Sequence, residues 1–270
     1  MKISILTICY NSEAYIERAI KSVLKQNYTN WEHIVVDGGS TDGTVAILNK
    51  YSHLKWISEP DRGQSDAMNK AFALATGDVI SYLNSDDYYS INAFEEVIKL
   101  FSKPDSPDVV CGKLKILLDD NIVYREPIDD YTFISHFWLH KFPANPVSYF
   151  YKRGLQERTG DFPIHNHQTM DYWFLLRAFR GAKLMKTQKE LGVFDLHTDT
   201  KTYKRMTCDN LNDDLQFEYL SFARDLPKLK RIVFLYPWYR LKYKIKFKDY
   251  LQKYGLRARR LIPNKILDVR

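Results

Sequence analysis

Residues Val79–Tyr89 read VISYLNSDDYY. Val79, Ile80, Tyr82 and Leu83 are apolar enough for a central strand, which runs straight into Asn84-Ser85-Asp86-Asp87. Adjacent carboxylates repel, so a positive charge is expected beside them. Two readings fit. The acids mark a helix cap or solvated turn, which Asp and Asn favour. Alternatively they form a divalent-cation site at the carboxyl edge of a sheet, where open α/β folds bind ligands.

The flanking sequence supplies such a sheet. Ile3, Ile5, Leu6 and Ile8 predict a first strand. Asn11 or Ser12 is then expected to cap a helix running through Gln26, with Ile16, Ala19, Ile20, Val23 and Leu24 on one face. Trp31–Asp37 (WEHIVVD) predicts a second strand, Leu54–Ser58 a third, and Ser65–Ala75 a helix that leads back to Val79. Strand and helix alternating at short intervals imply a mostly parallel sheet covered on both faces. Ser90 is expected to cap a helix through Phe101. Beyond it the pattern changes: Val109–Tyr124 reads as antiparallel strands. Short strands follow near Val147–Tyr151 and Leu184–Phe194, with helices at Tyr131–His140 and Thr169–Arg180.

The 270 residues suffice for one large domain or two small ones. Cys9, Cys111 and Cys208 are odd in number and widely spaced, which favours a reducing, cytoplasmic setting over a disulfide framework. The start of the chain reads as a strand rather than a signal peptide, and no apolar run reaches 18 residues. The net charge of +7 conceals a division. Residues 224–270 hold 15 of the 40 basic side chains but 3 of the 33 acidic ones, leaving an acidic body and a basic tail.

In a parallel sheet the strands' carboxyl ends share one edge, so the loops Thr7–Ser12, Asp37–Thr44, Glu59–Gln64 and Asn84–Asp87 are expected to converge. Gly38 and Gly39 after Asp37 permit close approach of a ligand, or simply a well-made strand-to-helix turn capped by Ser40 or Thr41. Arg62 in Glu59-Pro-Asp-Arg-Gly63 is suited to a phosphate or to a local salt-bridged turn. Asp66 and Asn69, three apart, share a helix face near that loop. Neither GxGxxG nor GxxxxGK[ST] occurs, which disfavours a Rossmann dinucleotide site and a P-loop. An acidic edge binds a diphosphate through a metal, and Mg²⁺ or Mn²⁺ joins carboxylates to substrate phosphates in that way.

The ordered segments ILTICYN (5–11), VVDGGSTDGT (35–44) and SEPDRGQSDAMNKAFALATGDVISYLNSDD (58–87) resemble the family 2 glycosyltransferases, over about residues 1–100 and more weakly to about 200. The resemblance implies an α/β GT-A fold with a mostly parallel, Rossmann-like sheet flanked by helices. A smaller mixed or antiparallel acceptor half and a helical C-terminal extension complete it. It implies a nucleotide-diphospho-sugar donor half over 1–110, an acceptor half over 111–225, and a separate basic extension over 226–270. Carried over by position, Thr7, Tyr10 and Asn11 line base and ribose, and Asp37 holds the base. Gly39, Asp61, Arg62, Gly63, Asp66 and Asn69 line the donor site. Asn84-Ser85-Asp86 takes the place of the family's Asp-x-Asp, with Asn84 replacing its first acid. Asp86 is then the first metal ligand and Asp87 the second, with Mn²⁺ or Mg²⁺ as cofactor.

In Gln168-Thr-Met-Asp-Tyr-Trp173 the same resemblance makes Asp171 the general base of an inverting transfer. From pattern alone it is a first-turn acid favoured by the helix dipole. His197 falls where relatives carry a histidine near diphosphate or metal, and also reads as a structural histidine. His165-Asn166-His167 reads as a polar acceptor loop, and His136 with His140 as part of a cleft wall. The tail interleaves Lys and Arg with Leu229, Val233, Phe234, Trp238 and Tyr239. That composition suits an anionic membrane surface or packing on the body better than nucleic acid, although Pro237 is expected to interrupt any single long helix.

The expected protein is a metal-dependent, inverting glycosyltransferase of surface polysaccharide or glycolipid synthesis, cytoplasmic and peripheral to a membrane. Its acceptor is a glycan or a lipid-linked sugar. The competing readings are a non-catalytic nucleotide-sugar-binding or membrane scaffold protein and a sugar nucleotidyltransferase.

Overall fold

A computed structural model describes residues 1–118, 121–127, 145–166, 169–179, 181–198, 200–206 and 211–243. The expected helix at 131–140 with His136 and His140, His167, and the tail beyond 243 lie outside these residues. Four strands, β1 (Ile3–Cys9), β2 (Trp31–Asp37), β3 (Leu54–Ser58) and β4 (Val79–Asn84), pair in parallel in the order β3-β2-β1-β4. The chain builds outward from β1 to β3, then returns through helix α3 (Gln64–Leu74) to place β4 on the other side of β1. The order therefore reverses between β1 and β4, and a crevice opens beyond their carboxyl ends.

The remaining strands extend this sheet with mixed polarity. A two-residue strand, β5 (Tyr88–Tyr89), follows β4. Then come β6 (Val109–Leu118), β7 (Asn121–Arg125), β8 (Tyr149–Lys152) and β9 (Leu184–Leu196). β8 lies antiparallel between β4 and β6, β9 runs parallel to β6, and β5 closes on β9 antiparallel. β6 and β7 form the expected antiparallel hairpin.

Period-2 alternation assigns the two faces. Leu6, Ile34, Val36, Ile80 and Tyr82 pack on Ala67, Met68 and Ala71 of α3. The same cluster takes in α5 (Arg153–Thr159), α6 (Met170–Ala178) and, after the short helix α7 (Lys201–Met206), α8 (Leu211–Arg224) and α9 (Lys228–Tyr243). On the opposite face, Ile3, Ile5, Val79 and Leu83 meet Ala19 and Val23 of α1 (Ile16–Leu24) and Phe94, Val97 and Phe101 of α4 (Ala93–Phe101). Fully burying each of the Val, Leu, Ile, Met and Phe side chains among these contributes about 1.5–3 kcal/mol, so the sheet is anchored from both sides.

Several expected helix starts move. Neither Asn11 nor Ser12 caps α1 with its side chain. α1 begins at Ile16, and the Ser12 carbonyl accepts from the amides of Tyr15 and Ile16. The second helix, α2, is short (Thr44–Leu48) and starts after Gly43, because Ser40 gives its hydroxyl and amide to Asp37 instead of capping. Ser90 does not cap α4 either: its hydroxyl bonds Glu190, and Asn92, with left-handed backbone, precedes the helix. Pro237 does not interrupt the tail, since α9 runs unbroken from Lys228 to Tyr243. Two glycines set close approaches. A Cβ at Gly77 would collide with the Ser4 backbone in β1, and one at Gly192 in β9 with Val147. Val147 lies in the short 3-10 turn Pro146–Ser148, which Asn145 caps through its side chain.

Candidate active site

The four loops do converge, and hydrogen bonds tie them together. Asn11 adopts a left-handed backbone (φ 48°). Its amide donates to Ser40 Oγ at 2.7 Å, and its side-chain oxygen accepts from the Thr41 amide at 2.9 Å. The Ser12 and Ser85 hydroxyls meet at 2.9 Å across the β1–β4 crevice. Gly39, at φ 82°, lies against Pro60, and Asp61 packs beside Gly38 while accepting from the Gly63 amide at 2.7 Å. Tyr10 stands exposed at the rim. The Arg62 side chain is largely exposed and pairs with Asp66 at 3.2 Å, leaving most of its donors facing outward.

Other side chains expected at the donor face are turned inward. Thr7 is fully buried and its hydroxyl bonds His33 Nε2 at 2.9 Å, so its side chain does not reach the edge. Asn69 spends its amide on both backbone groups of Phe162, at 2.8 and 2.9 Å. Asp66 is buried beneath Arg62; the Arg62 amide, then the guanidinium, hold its carboxyl below the usual range against the effect of burial. Asp37 is also buried, and its carboxylate is saturated. It accepts from the Gly39 and Ser40 amides and from the Ser40, Ser58 and Cys9 side chains. What Asp37 offers a ligand is the loop it shapes.

The two adjacent acids have different surroundings. Asp87 is fully buried. Its Oδ2 accepts from the Asn84 and Asn145 amides at 2.8 and 2.7 Å, and its Oδ1 from the Asp195 amide at 3.2 Å. Burial, then the charge of Asp86, push its carboxyl well above the usual range. The expected second metal ligand is thus enclosed by protein donors. Asn84 is explained by the same contacts: it supplies a donor that a carboxylate at that position could not. Asp86 stays partly exposed, its carboxyl raised by burial, and faces His197, with Nε2 3.7 Å from Oδ2. That Nε2 is buried and has no hydrogen-bond partner among the described residues. An orphaned imidazole nitrogen opposite a carboxylate is a donor set suited to Mn²⁺. No group of three such side chains stands together among the described residues. A cation there would take its other ligands from phosphate oxygens and water, as Mg²⁺ and Mn²⁺ commonly do.

Asp171 occupies the first turn of α6, partly exposed. Burial raises its carboxyl to about 6, and the charge of Lys201 draws it down. Lys201 bonds Gln64 Oε1 at 3.0 Å, at the start of α3. That value leaves Asp171 an ionised base near neutral pH, yet a far better proton acceptor than a free carboxylate. The sequence reading passed over Tyr15, Arg18, Asn145 and Asp195, which surround Asp86 and Asp87. The available signal was weak: Tyr15 and Arg18 are three apart on a helix that starts beside the acidic loop.

The profile of glycosyl transferase family 2 matches residues 4–170. Among curated relatives, a poly(ribitol-phosphate) beta-glucosyltransferase of Bacillus spizizenii is 29% identical over 73% of this chain and 32% of its own length. A UDP-Glc:alpha-D-GlcNAc-diphosphoundecaprenol beta-1,3-glucosyltransferase of Escherichia coli is 35% identical over 45% of this chain and 49% of its own. Matches to several uncharacterized glycosyltransferases span about a third of those proteins' length, 34 to 35%. Among solved structures, S. aureus TarS in complex with UDP-GlcNAc superposes with a TM-score of 0.71 at 19% identity, over 96% of this chain and 77% of that one. A mannosyltransferase of Pyrobaculum calidifontis in complex with GDP-Man and Mn²⁺ gives 0.63 at 19% identity, over 89% and 70%. The chain belongs to glycosyl transferase family 2 and has the GT-A fold of these enzymes.

Proposed function

We propose that the chain transfers a sugar from a nucleotide-diphospho-sugar to a hydroxyl of a glycan or lipid-linked acceptor, with inversion, in the synthesis of a cell-surface polysaccharide or glycolipid. The observation that carries this reading is the placing of two unlike acidic centres in one family fold. An Asp86–His197 corner with an unpartnered imidazole nitrogen lies at the end of β4, and Asp171, tuned to about 6, heads α6. The names of the relatives, which act on poly(ribitol-phosphate) and on diphosphoundecaprenol-linked sugar, support the acceptor class.

In this reading residues 1–110 form the donor half and 111–225 the acceptor half. Tyr10 stacks on the base, the loop built around Asp37, Asn11 and Gly39 surrounds the ribose, and Arg62 with Asp61 and Gly63 faces the diphosphate. Asp86 and His197 hold a divalent cation, which when bound offsets the charge that develops on the leaving diphosphate. Asp171 takes the proton of the acceptor hydroxyl as it attacks the anomeric carbon from the opposite side. Residues 226–270 meet an anionic membrane surface: on α9 Leu229 and Val233 are exposed one turn apart beside Lys228 and Lys230. Among the described residues no helix is long and apolar enough to cross a membrane.

A panel of nucleotide sugars, with and without Mn²⁺, tests the donor reading by thermal shift and by release of nucleoside diphosphate. At least one sugar nucleotide should raise Tm and be turned over; a panel that does neither rejects the proposal. Co-sedimentation with anionic liposomes tests the surface, and should drop when Leu229 and Val233 are both changed to Glu.

A further inference from the structure

We propose that Arg18 is a positioning residue for the Asp86–His197 corner, clamping from α1 the two segments that carry these side chains. The inference rests on the cation reading given above and assigns it a supporting residue. Arg18 and Tyr15 sit three apart at the start of α1, on one face. Arg18 Nη2 donates to the Asp86 carbonyl at 2.7 Å and to Asp195 Oδ2 at 2.6 Å, and the guanidinium lies 4.7 Å from the Tyr88 ring centre. Tyr15 stacks on the His197 ring, centroids 4.5 Å apart and 22° from parallel, with its hydroxyl 3.4 Å from Nδ1.

Asp86 lies in the turn after β4 and Tyr88 in β5, while Asp195 lies at the end of β9 and His197 directly follows it. These segments are about a hundred residues apart in the chain, and the sheet joins them through the short β5–β9 pair and the buried Asp87–Asp195 contact. Arg18 supplies the tie on the open side. The Asp86 carboxyl also feels both charges, that of Asp195 raising it and that of Arg18 drawing it down. The planar fork of Arg18 spans a carbonyl, a carboxylate and an aromatic face together, which a lysine cannot do. Removing it frees Asp195 to repel Asp86 and lets the β9 end, with His197, drift from the β4 turn. Partners that orient ligands in this way are typically worth roughly 10–100-fold in metal affinity.

The test uses the full chain and follows the EPR signal of free Mn²⁺, alone and with UDP or GDP. Arg18→Gln should weaken Mn²⁺ binding at least tenfold while nucleotide binding without metal is unchanged. Arg18→Lys should fall between it and the wild type. Asp195→Ala removes the same tie from the other side and should weaken Mn²⁺ in the same direction, which keeps the test valid if Arg18→Gln fails to fold. In a His197→Ala background Arg18→Gln should cost less than it does in the wild type, since one of the two groups it positions is gone. Wild-type Mn²⁺ affinity in folded Arg18→Gln, or losses that multiply in full in the double variant, overturns the clamp and leaves the cation reading standing. A wild type that binds no Mn²⁺ under any of these conditions overturns both.

Discussion

Glu32 at the amino end of the parallel sheet and the Asp86 and Asp171 carboxylates at the other end are treated in opposite ways, although Asp37 and Asp66 at that other end are well paired. At the amino end Glu32 is buried, yet every oxygen is paired: Ser4 at 2.6 Å, the Thr76 amide at 2.7 Å and its hydroxyl at 2.9 Å, Lys55 at 2.6 Å and Lys2 at 2.8 Å. Burial alone would raise its carboxyl, but the bonds from Lys2, Lys55 and Ser4 outweigh it and hold the group far below the usual range. At the carboxyl end Asp86, Asp87 and Asp171 are all raised by burial, with few cations to offset it. One end spends its charges on holding β1, β2 and β3 together with the turn before β4. The other leaves Asp86 and Asp171 underpaired, which costs stability and leaves them able to act on a ligand.

Five experiments bear on this contrast, the largest effect first. Asp171→Asn should leave donor binding intact and lower turnover by roughly 10²–10⁴-fold, the usual worth of a positioned base; retained turnover removes Asp171 from the chemistry. In the wild type the same group sets the acid limb. Turnover needs the ionised form, so it should fall tenfold per pH unit below about 6 and level off above. At the other end Glu32→Ala should cost about 2–3 kcal/mol in urea unfolding. Breaking a buried pair typically costs about 3–5, and the partly exposed Lys2 and Lys55 reduce that here. Turnover per folded molecule should be unchanged, and a large loss of activity would erase the distinction between the ends.

The sign of the pH dependence separates the ends further. Glu32 has a depressed folded pKa, so its stabilisation is present above the unfolded value of about 4.3 and is lost as pH falls towards the folded one. Glu32→Gln should therefore flatten the loss of stability below about pH 4. Smallest is Asn84→Asp, which sets a carboxylate against Asp87 and removes one of its donors. It should cost about 1–3 kcal/mol at pH 7. Part of that returns on acidification, because a raised carboxyl pKa makes the folded state take up the proton first.

The strands were legible because both faces of the sheet are buried. Continuous runs such as ISILTIC (3–9) and VISYL (79–83) have no other stable use in a chain of this length. Gathering four loops on one edge followed from parallel topology alone. The caps were not legible: Ser12, Ser40 and Ser90 all have capping chemistry, and each is claimed by a partner from another loop or strand. β5 is two residues long and carries no pattern. Arg18 looks like any surface cation on a helix until Asp86 and Asp195, 68 and 177 positions away, are folded against it. Which acids face inward was equally hidden. Asp86 and Asp87 are neighbours in sequence, and only the arrival of Asn145 and the end of β9 decides that one is sealed and the other open.

Gly192 sets the clearance on which that corner depends. Because it lacks a methyl, β9 passes directly beside Val147, so the turn bearing Asn145 sits close enough for the amide to reach Asp87. The site is in this sense machined to a fit about one carbon wide. A chain carrying alanine at position 192 would keep every polar group of the corner and still assemble it out of gauge.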